Sequence, residues 1–86
     1  MANHKSAKKR ARQDLVRRDR NRQVRSRVRG VVKQVREAVA GGDAEAAQKS
    51  LRTAERELRK AASKGVVPRR RASRSISRLA RSVSRV

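Results

Sequence analysis

Basic residues crowd the start of the chain, and their types and spacing suit one kind of chemistry, the pairing of cations with phosphate oxygens. The opening MANHKSAKKRARQ has no acidic residue before Asp14 and is followed by RRDRNRQVRSRVR. Arginine presents a planar fork that matches phosphate, and neighbouring Ser, Asn and Gln side chains donate to phosphate or sugar oxygens. The N-terminal end of a helix already carries partial positive charge and prefers anions, so cations there add repulsion. We therefore expect an anionic partner.

The composition of the whole chain points the same way. Over 86 residues, 27 Lys and Arg stand against 7 Asp and Glu, which leaves a net charge of +20. A field of this size attracts polyanions and opposes compaction. The chain has no Phe, Tyr or Trp on which unpaired bases stack, which argues against a reader of single strands. The composition predicts recognition of the backbone and shape of structured nucleic acid, which in RNA means phosphates and 2′-hydroxyls.

Residues for catalysis or metal binding are scarce. The chain has no cysteine and one histidine, His4, which lacks companion ligands and is predicted to make a surface contact. Glu55 and Glu57 lie two residues apart on a predicted helix, so they point in different directions. There is also no Gly-rich phosphate loop. We predict no enzyme, no cofactor or metal and no small-molecule substrate.

The elements that position the cations follow from the apolar residues, which recur every three or four positions. Gly41 and Gly42 suit a left-handed helix end, Asp43 suits an N-cap, and Gly65 and Pro68 separate the last two segments. These features predict helices near residues 5–40, 44–63 and 68–85. The three apolar rows are Val24, Val28, Val31, Val35 and Ala38; Ala47, Leu51, Ala54, Leu58 and Ala61; and Ala72, Ile76, Leu79, Val83 and Val86.

Short connections make successive helices antiparallel neighbours, so we predict an all-α fold, an antiparallel three-helix bundle in which residues 1–86 form one domain. The first helix is much longer than the second, so residues 5–22 should project as a basic arm. The arm has few apolar residues, and we expect it to fray when free and to become ordered on its partner. The run RRRASRSISRLARSVSR is predicted to be helical rather than disordered, because its apolar residues keep helical spacing.

Charge is unevenly divided among the predicted helices. Residues 1–40 contain 14 basic and 3 acidic residues, residues 41–63 contain 5 and 4, and residues 64–86 contain 8 and none. The first and third helices are therefore predicted to carry the binding surfaces, while the second completes the core and faces away. No apolar run approaches a membrane span or a secretory signal, and we expect a soluble cytoplasmic protein without membrane contact.

Several short motifs resemble one family along the whole chain. They are MAN with Lys5-Ser6-Ala7-Lys8-Lys9-Arg10, Asn21-Arg22, Gly42-Asp43 with Ala46-Ala47, and Lys60-Ala61-Ala62 with Lys64-Gly65-Val66-Val67. Their order is similar to that of the bacterial ribosomal protein S20 family of the small subunit. The resemblance implies a three-helix bundle that binds the 5′ domain of small-subunit (16S) ribosomal RNA, aids early assembly, acts as a monomer within the ribosome and has no enzymatic role.

The resemblance also singles out candidate RNA contacts. Where the family usually has His-Lys-Asn at the start of the third helix, this chain has Pro68-Arg69-Arg70, which leaves a cationic contact at Arg69 to Arg71. The predicted RNA-binding residues are Asn3, Lys5, Ser6, Lys8, Lys9, Arg10, Arg12, Arg17, Arg18, Asn21, Arg22, Arg25, Arg29, Lys64, Arg69, Arg70, Arg71, Arg74, Ser77 and Arg78.

Two other functions share the charge pattern. A nucleoid-type or linker-histone-like protein that compacts DNA would also be basic and without aromatic residues, and it would prefer duplex DNA to folded RNA at equal salt. A membrane-active cationic helix would cause vesicle leakage, although the Ala and Val rows lack the Trp, Phe or Leu typical of inserting helices.

Overall fold

Three helices make up the fold in a computed structural model, which describes residues 3–86, with only the backbone described for Asn3. They are α1 (Asn3–Ala40), α2 (Ala44–Ser63) and α3 (Arg69–Ser84). The predicted all-α architecture and the helical nature of the Arg-Ser run are confirmed. The part of the chain so described has no helix that is long and apolar enough to cross a membrane.

Both turns between helices use the same glycine-based ending. Gly42 has φ +71°, and the N–H groups of Gly42 and Asp43 donate to the carbonyls of Val39 and Ala38. Gly65 has φ +75°, and its N–H donates to Ala62. This pattern is a Schellman motif, which pairs the last carbonyls of a helix through a residue in left-handed conformation. Of the two glycines predicted for the first turn, Gly42 takes that conformation.

The helix starts follow from local chemistry, with one correction. The Asp43 carboxylate accepts a hydrogen bond of 3.1 Å from the N–H of Ala46, which confirms the predicted N-cap of α2. Pro68 was predicted to be the first residue of the third helix. It has ψ 140° instead and precedes the helix as its N-cap, so α3 begins at Arg69 and ends at Ser84.

The core lies where the three apolar rows meet, and it is built from small side chains. The central helix is α2, which packs against both neighbours, whereas α1 and α3 touch each other less. Val86 was predicted to extend the third row but is exposed, since it lies beyond the end of α3. Val32 and Val39, which belong to none of the predicted rows, pack against the core. The buried residues are Val35, Ala47, Ala54, Leu58, Ala61, Ala72, Leu79 and Val83.

The length difference between the helices makes the molecule elongated. A 38-residue helix spans about 57 Å, whereas the 20 residues of α2 span about 30 Å. The extents of the described chain, 63 × 21 × 13 Å, agree with this estimate. Every residue from 4 to 20 is exposed, and packing against the bundle begins at Asn21. The predicted projection of the N-terminal helix is confirmed.

Candidate nucleic-acid interface

The N-terminal arm (residues 5–22) exposes cations around its whole circumference. Successive residues of an α-helix are rotated by about 100°, so Lys8 and Arg10 point about 160° apart and Lys9 lies between their directions. All three side chains are exposed, as are Lys5, Ser6 and Arg12. A rod with charge on every side can meet phosphates from several directions at once. This geometry differs from that of a flat basic patch, which can be covered by one strand.

Further along α1 most of the cations lie on one face, with Arg20 and Arg27 as the exceptions. Six of them follow one another at intervals of three or four residues, over a helix length of about 27 Å. All six are exposed, while the opposite face carries the apolar row that packs on α2. This α1 stripe consists of Arg18, Arg22, Arg25, Arg29, Lys33 and Arg36.

The outer face of α3 carries a second line of cations at the same intervals. Ala72, Leu79 and Val83 occupy the opposite side of the helix and are buried. Arg81 and Arg85 were not among the predicted contacts, although continuing the interval of three or four residues from Arg78 points to them. The α3 stripe consists of Arg70, Arg74, Arg78, Arg81 and Arg85, all exposed.

The remaining predicted residues of this region lie apart from the α3 stripe. Arg69 and Ser77 line a shallow depression of about 460 Å³ together with Arg59 of α2. Arg71 faces α1, where it lines a groove with residues of the α1 stripe. Lys64 is exposed at the C-terminal end of α2, where its N–H donates to the carbonyl of Lys60. The structure thus distributes these residues over several faces.

Charge is distributed less evenly along helix α2 than its small net charge indicated. Two of its acidic residues are the N-cap Asp43 and Glu45 in the first turn, where the positive end of the helix dipole stabilises their negative charge. Between residues 52 and 60 four exposed cations outnumber Glu55 and Glu57 and form a patch, which the averaged charge of the segment concealed. This α2 patch consists of Arg52, Arg56, Arg59 and Lys60.

Few of the cations are neutralised by carboxylates. Among the described residues, the ion pairs are Arg22 with Asp19 at 3.2 Å, Lys33 with Glu37 at 4.0 Å and Arg59 with Glu55 at 2.6 Å. Pairs as exposed as these contribute about 0 to 1 kcal/mol each. No charged side chain of the described part of the chain is buried. Most of the positive charge therefore remains available to an external polyanion.

Two predicted polar contacts need separate comment. Asn21 is half-buried where α1 meets the bundle, and its Oδ1 atom is buried without a hydrogen-bond partner among the described residues. In this conformation that oxygen is turned away from the surface. The side chain of Asn3 lies outside the described part of the chain. His4 is exposed, in agreement with its predicted place at the surface.

Comparison with known proteins gives consistent matches along the whole chain. The sequence model of the family described as Ribosomal protein S20 matches residues 2–84. Small ribosomal subunit protein bS20 of Wolinella succinogenes is 49% identical over 86 residues, covering 100% of this chain and 94% of the relative. The protein of the same name from Solidesulfovibrio magneticus is 54% identical over 85 residues, covering 99% and 96%. That of Helicobacter acinonychis is 49% identical, covering 100% and 97%.

Proposed function

Because this chain belongs to the ribosomal protein S20 family, which consists of structural proteins and not enzymes, we propose that it binds small-subunit (16S) ribosomal RNA directly and aids assembly of the subunit. Membership places it in the small ribosomal subunit, and hence in the cytoplasm. In the proposal, residues 1–86 act as one RNA-binding domain and as a monomer within the ribosome. The 5′ domain of the RNA is the proposed target, which rests on the sequence resemblance.

The observation that carries the proposal is the exposure of cations on all sides of the N-terminal arm. Phosphates of separate RNA helices repel one another where the helices come close, and a rod that is positive around its circumference lowers that repulsion. The α1 and α3 stripes add two further lines of cations on the bundle. The protein then fastens RNA helices together by contacts to backbone and shape, since no aromatic side chain is available to stack bases.

The proposal assigns most of the binding to the arm and the two stripes, with the α2 patch contributing less. The α2 patch has carboxylates beside it, and Glu55 already pairs with Arg59. The residues predicted from the sequence, from Asn3 to Arg78, retain their assignment as RNA contacts under this proposal. Lys33 and Arg36 are added because they continue the α1 stripe, and Arg81 and Arg85 because they continue the α3 stripe.

Competition binding over a salt series tests the assignment. The protein is titrated with the small-subunit 5′ domain, an unrelated folded RNA and duplex DNA, all of which should show a steep salt dependence because phosphate contacts release counterions. We expect the 5′ domain to keep an advantage at high salt. If all three polyanions lose binding together, recognition is by charge alone, and if duplex DNA is preferred, the DNA-compacting alternative is correct.

A matched pair of triple variants locates the contacts. Replacing Lys8, Lys9 and Arg10 by Gln should lower the slope of log Kobs against log salt by roughly 2 to 3, because each lost phosphate contact removes about 0.7 to 0.9. Replacing Arg52, Arg56 and Lys60 by Gln removes the same charge from the α2 patch and should change the slope less. Equal effects of the two triples would show that the arm has no special role.

A further inference from the structure

A groove between α1 and the start of α3 differs from the rest of the basic surface. It has a volume of about 810 Å³, within the range of sites that hold small ligands. The rim carries five cations and, in the part of the chain described, no acidic residue lines the groove. Four cations come from the α1 stripe and one from α3, namely Arg25, Arg29, Lys33, Arg36 and Arg71.

The floor of this α1–α3 groove is apolar, which sets it apart from the purely charged stripes. Leu58 at the bottom is buried, the valines are half-buried, and the Pro68 ring is exposed at one end. When a ligand covers exposed apolar surface of this kind, the surface is removed from water, and this favours binding. The floor residues are Val28, Val32, Leu58, Val66, Val67 and Pro68.

A ligand that fits both the cationic rim and the apolar floor needs a negative charge and a flat apolar surface in the same molecule. A phosphate alone satisfies the rim and leaves the floor in water. A nucleotide in a duplex offers its phosphate, but its base is stacked inside the helix. An unpaired nucleotide turned out of the stack offers both, and guanidinium planes such as those of Arg29 and Arg71 can cover an unstacked base without an aromatic residue.

We propose that the α1–α3 groove holds one unpaired nucleotide of the bound RNA, with its phosphates on the cationic rim and its base against the apolar floor. This inference rests on the proposed RNA-binding function and adds a single-nucleotide site to it. The α1 stripe runs from Arg18 into the rim, so an RNA strand that follows the stripe reaches the groove. The site takes one base, in keeping with a chain that lacks a stacking platform for a longer single strand.

Two hairpins with the same stem test the proposal with the full-length protein. One carries a single bulged 2-aminopurine, and the other carries the same base paired within the stem. We expect the protein to bind the bulged hairpin about tenfold more tightly at moderate salt, because burial of about 55 Å² of apolar surface suffices for that ratio. The fluorescence of the bulged 2-aminopurine should rise on binding, because the base leaves its neighbours in the stack.

A matched pair of double variants assigns the preference to the groove. Replacing Arg29 and Arg71 by Gln should abolish both the preference and the fluorescence rise. Replacing Arg27 and Arg81 by Gln removes the same charge from the same two helices outside the groove, and should weaken both hairpins while keeping the preference. All four positions are exposed, so both variants should fold, which circular dichroism verifies.

The outcomes separate this inference from the proposed function. Equal binding of both hairpins without a fluorescence change overturns the nucleotide site while RNA binding stands. Loss of the preference in both double variants also overturns it, because overall charge then decides. Displacement of the bulged hairpin by an acidic amphipathic peptide, from wild-type protein but not from the Arg29 and Arg71 variant, shows a site for a protein partner instead. Failure to bind any RNA overturns the proposed function itself.

Discussion

Single residues at the helix ends determine where the chain turns, and several of them were predictable from local chemistry. Asp43 was predicted as an N-cap and Gly65 as a helix end, because side-chain oxygens and left-handed glycines satisfy orphan backbone groups. The choice between Gly41 and Gly42 was not predictable, since both allow the conformation. The partnerless oxygen of Asn21 was also beyond sequence reasoning, because it depends on what packs over that side chain.

Two glycines in different conformations should respond to the same substitution with opposite signs. Gly42→Ala places a Cβ at φ +71° and should lower the free energy of unfolding by about 1 to 2 kcal/mol. Gly30→Ala lies within α1, where a Cβ meets no atom within 4 Å, and should raise it by about 0.5 to 1 kcal/mol. Urea unfolding of both variants measures the difference. A neutral Gly42→Ala would contradict the left-handed turn.

At the scale of helices, hydrophobic periodicity predicted all three elements and most of the core. It predicted α3 within an Arg-Ser run because Ala72, Ile76 and Leu79 keep helical spacing. It placed Val86 in the core wrongly, since periodicity does not show where a helix ends. It also missed Val32 and Val39, because the width of an apolar face depends on how closely the neighbouring helices approach.

The two halves of α1 should differ in dynamics when RNA is absent. Residues 4–20 have only local helical hydrogen bonds and no packing, and isolated helices of this length are marginal in water. We expect backbone amides of the arm to exchange with solvent far faster than those near Val35, and to become protected when RNA binds. Hydrogen exchange with and without RNA measures this. Protection in the free protein equal to that at Val35 would contradict a frayed arm.

For the molecule as a whole, the high net charge and the small core leave the folded state only marginally stable. A net charge of +20 opposes the compact state, and half of the buried residues are alanines, which bury little area. The sequence predicted this balance and the projecting arm from composition and helix lengths. It did not predict the α1–α3 groove, because Lys33 and Arg71 come together only when helices distant in sequence pack.

RNA should therefore rescue a weakened core. Leu58→Ala removes a side chain that is 2% exposed and should cost about 2 to 5 kcal/mol, enough to unfold much of the free protein. RNA at about 100 times its Kd should restore about 2.7 kcal/mol, because it binds the folded state. Circular dichroism with and without RNA measures both effects.

Leu15→Ala is the matched control, because Leu15 is 66% exposed on the arm. It should leave the unfolding free energy nearly unchanged. A loss equal to that of Leu58→Ala would mean that the arm packs against the bundle in solution.

The alanines of the core tolerate few substitutions, whereas the exposed basic residues tolerate many. Ala47 and Ala54 are completely buried within the core, so a larger side chain there overpacks it, at a cost of about 1 to 3 kcal/mol. Glycine is the one smaller alternative, and it weakens the helix. Outside, an arginine that contacts phosphate only through its charge can be exchanged for lysine with little effect on the fold. As sequences diverge, the interior of this protein has almost no freedom to drift, while its surface can change widely as long as it stays positive.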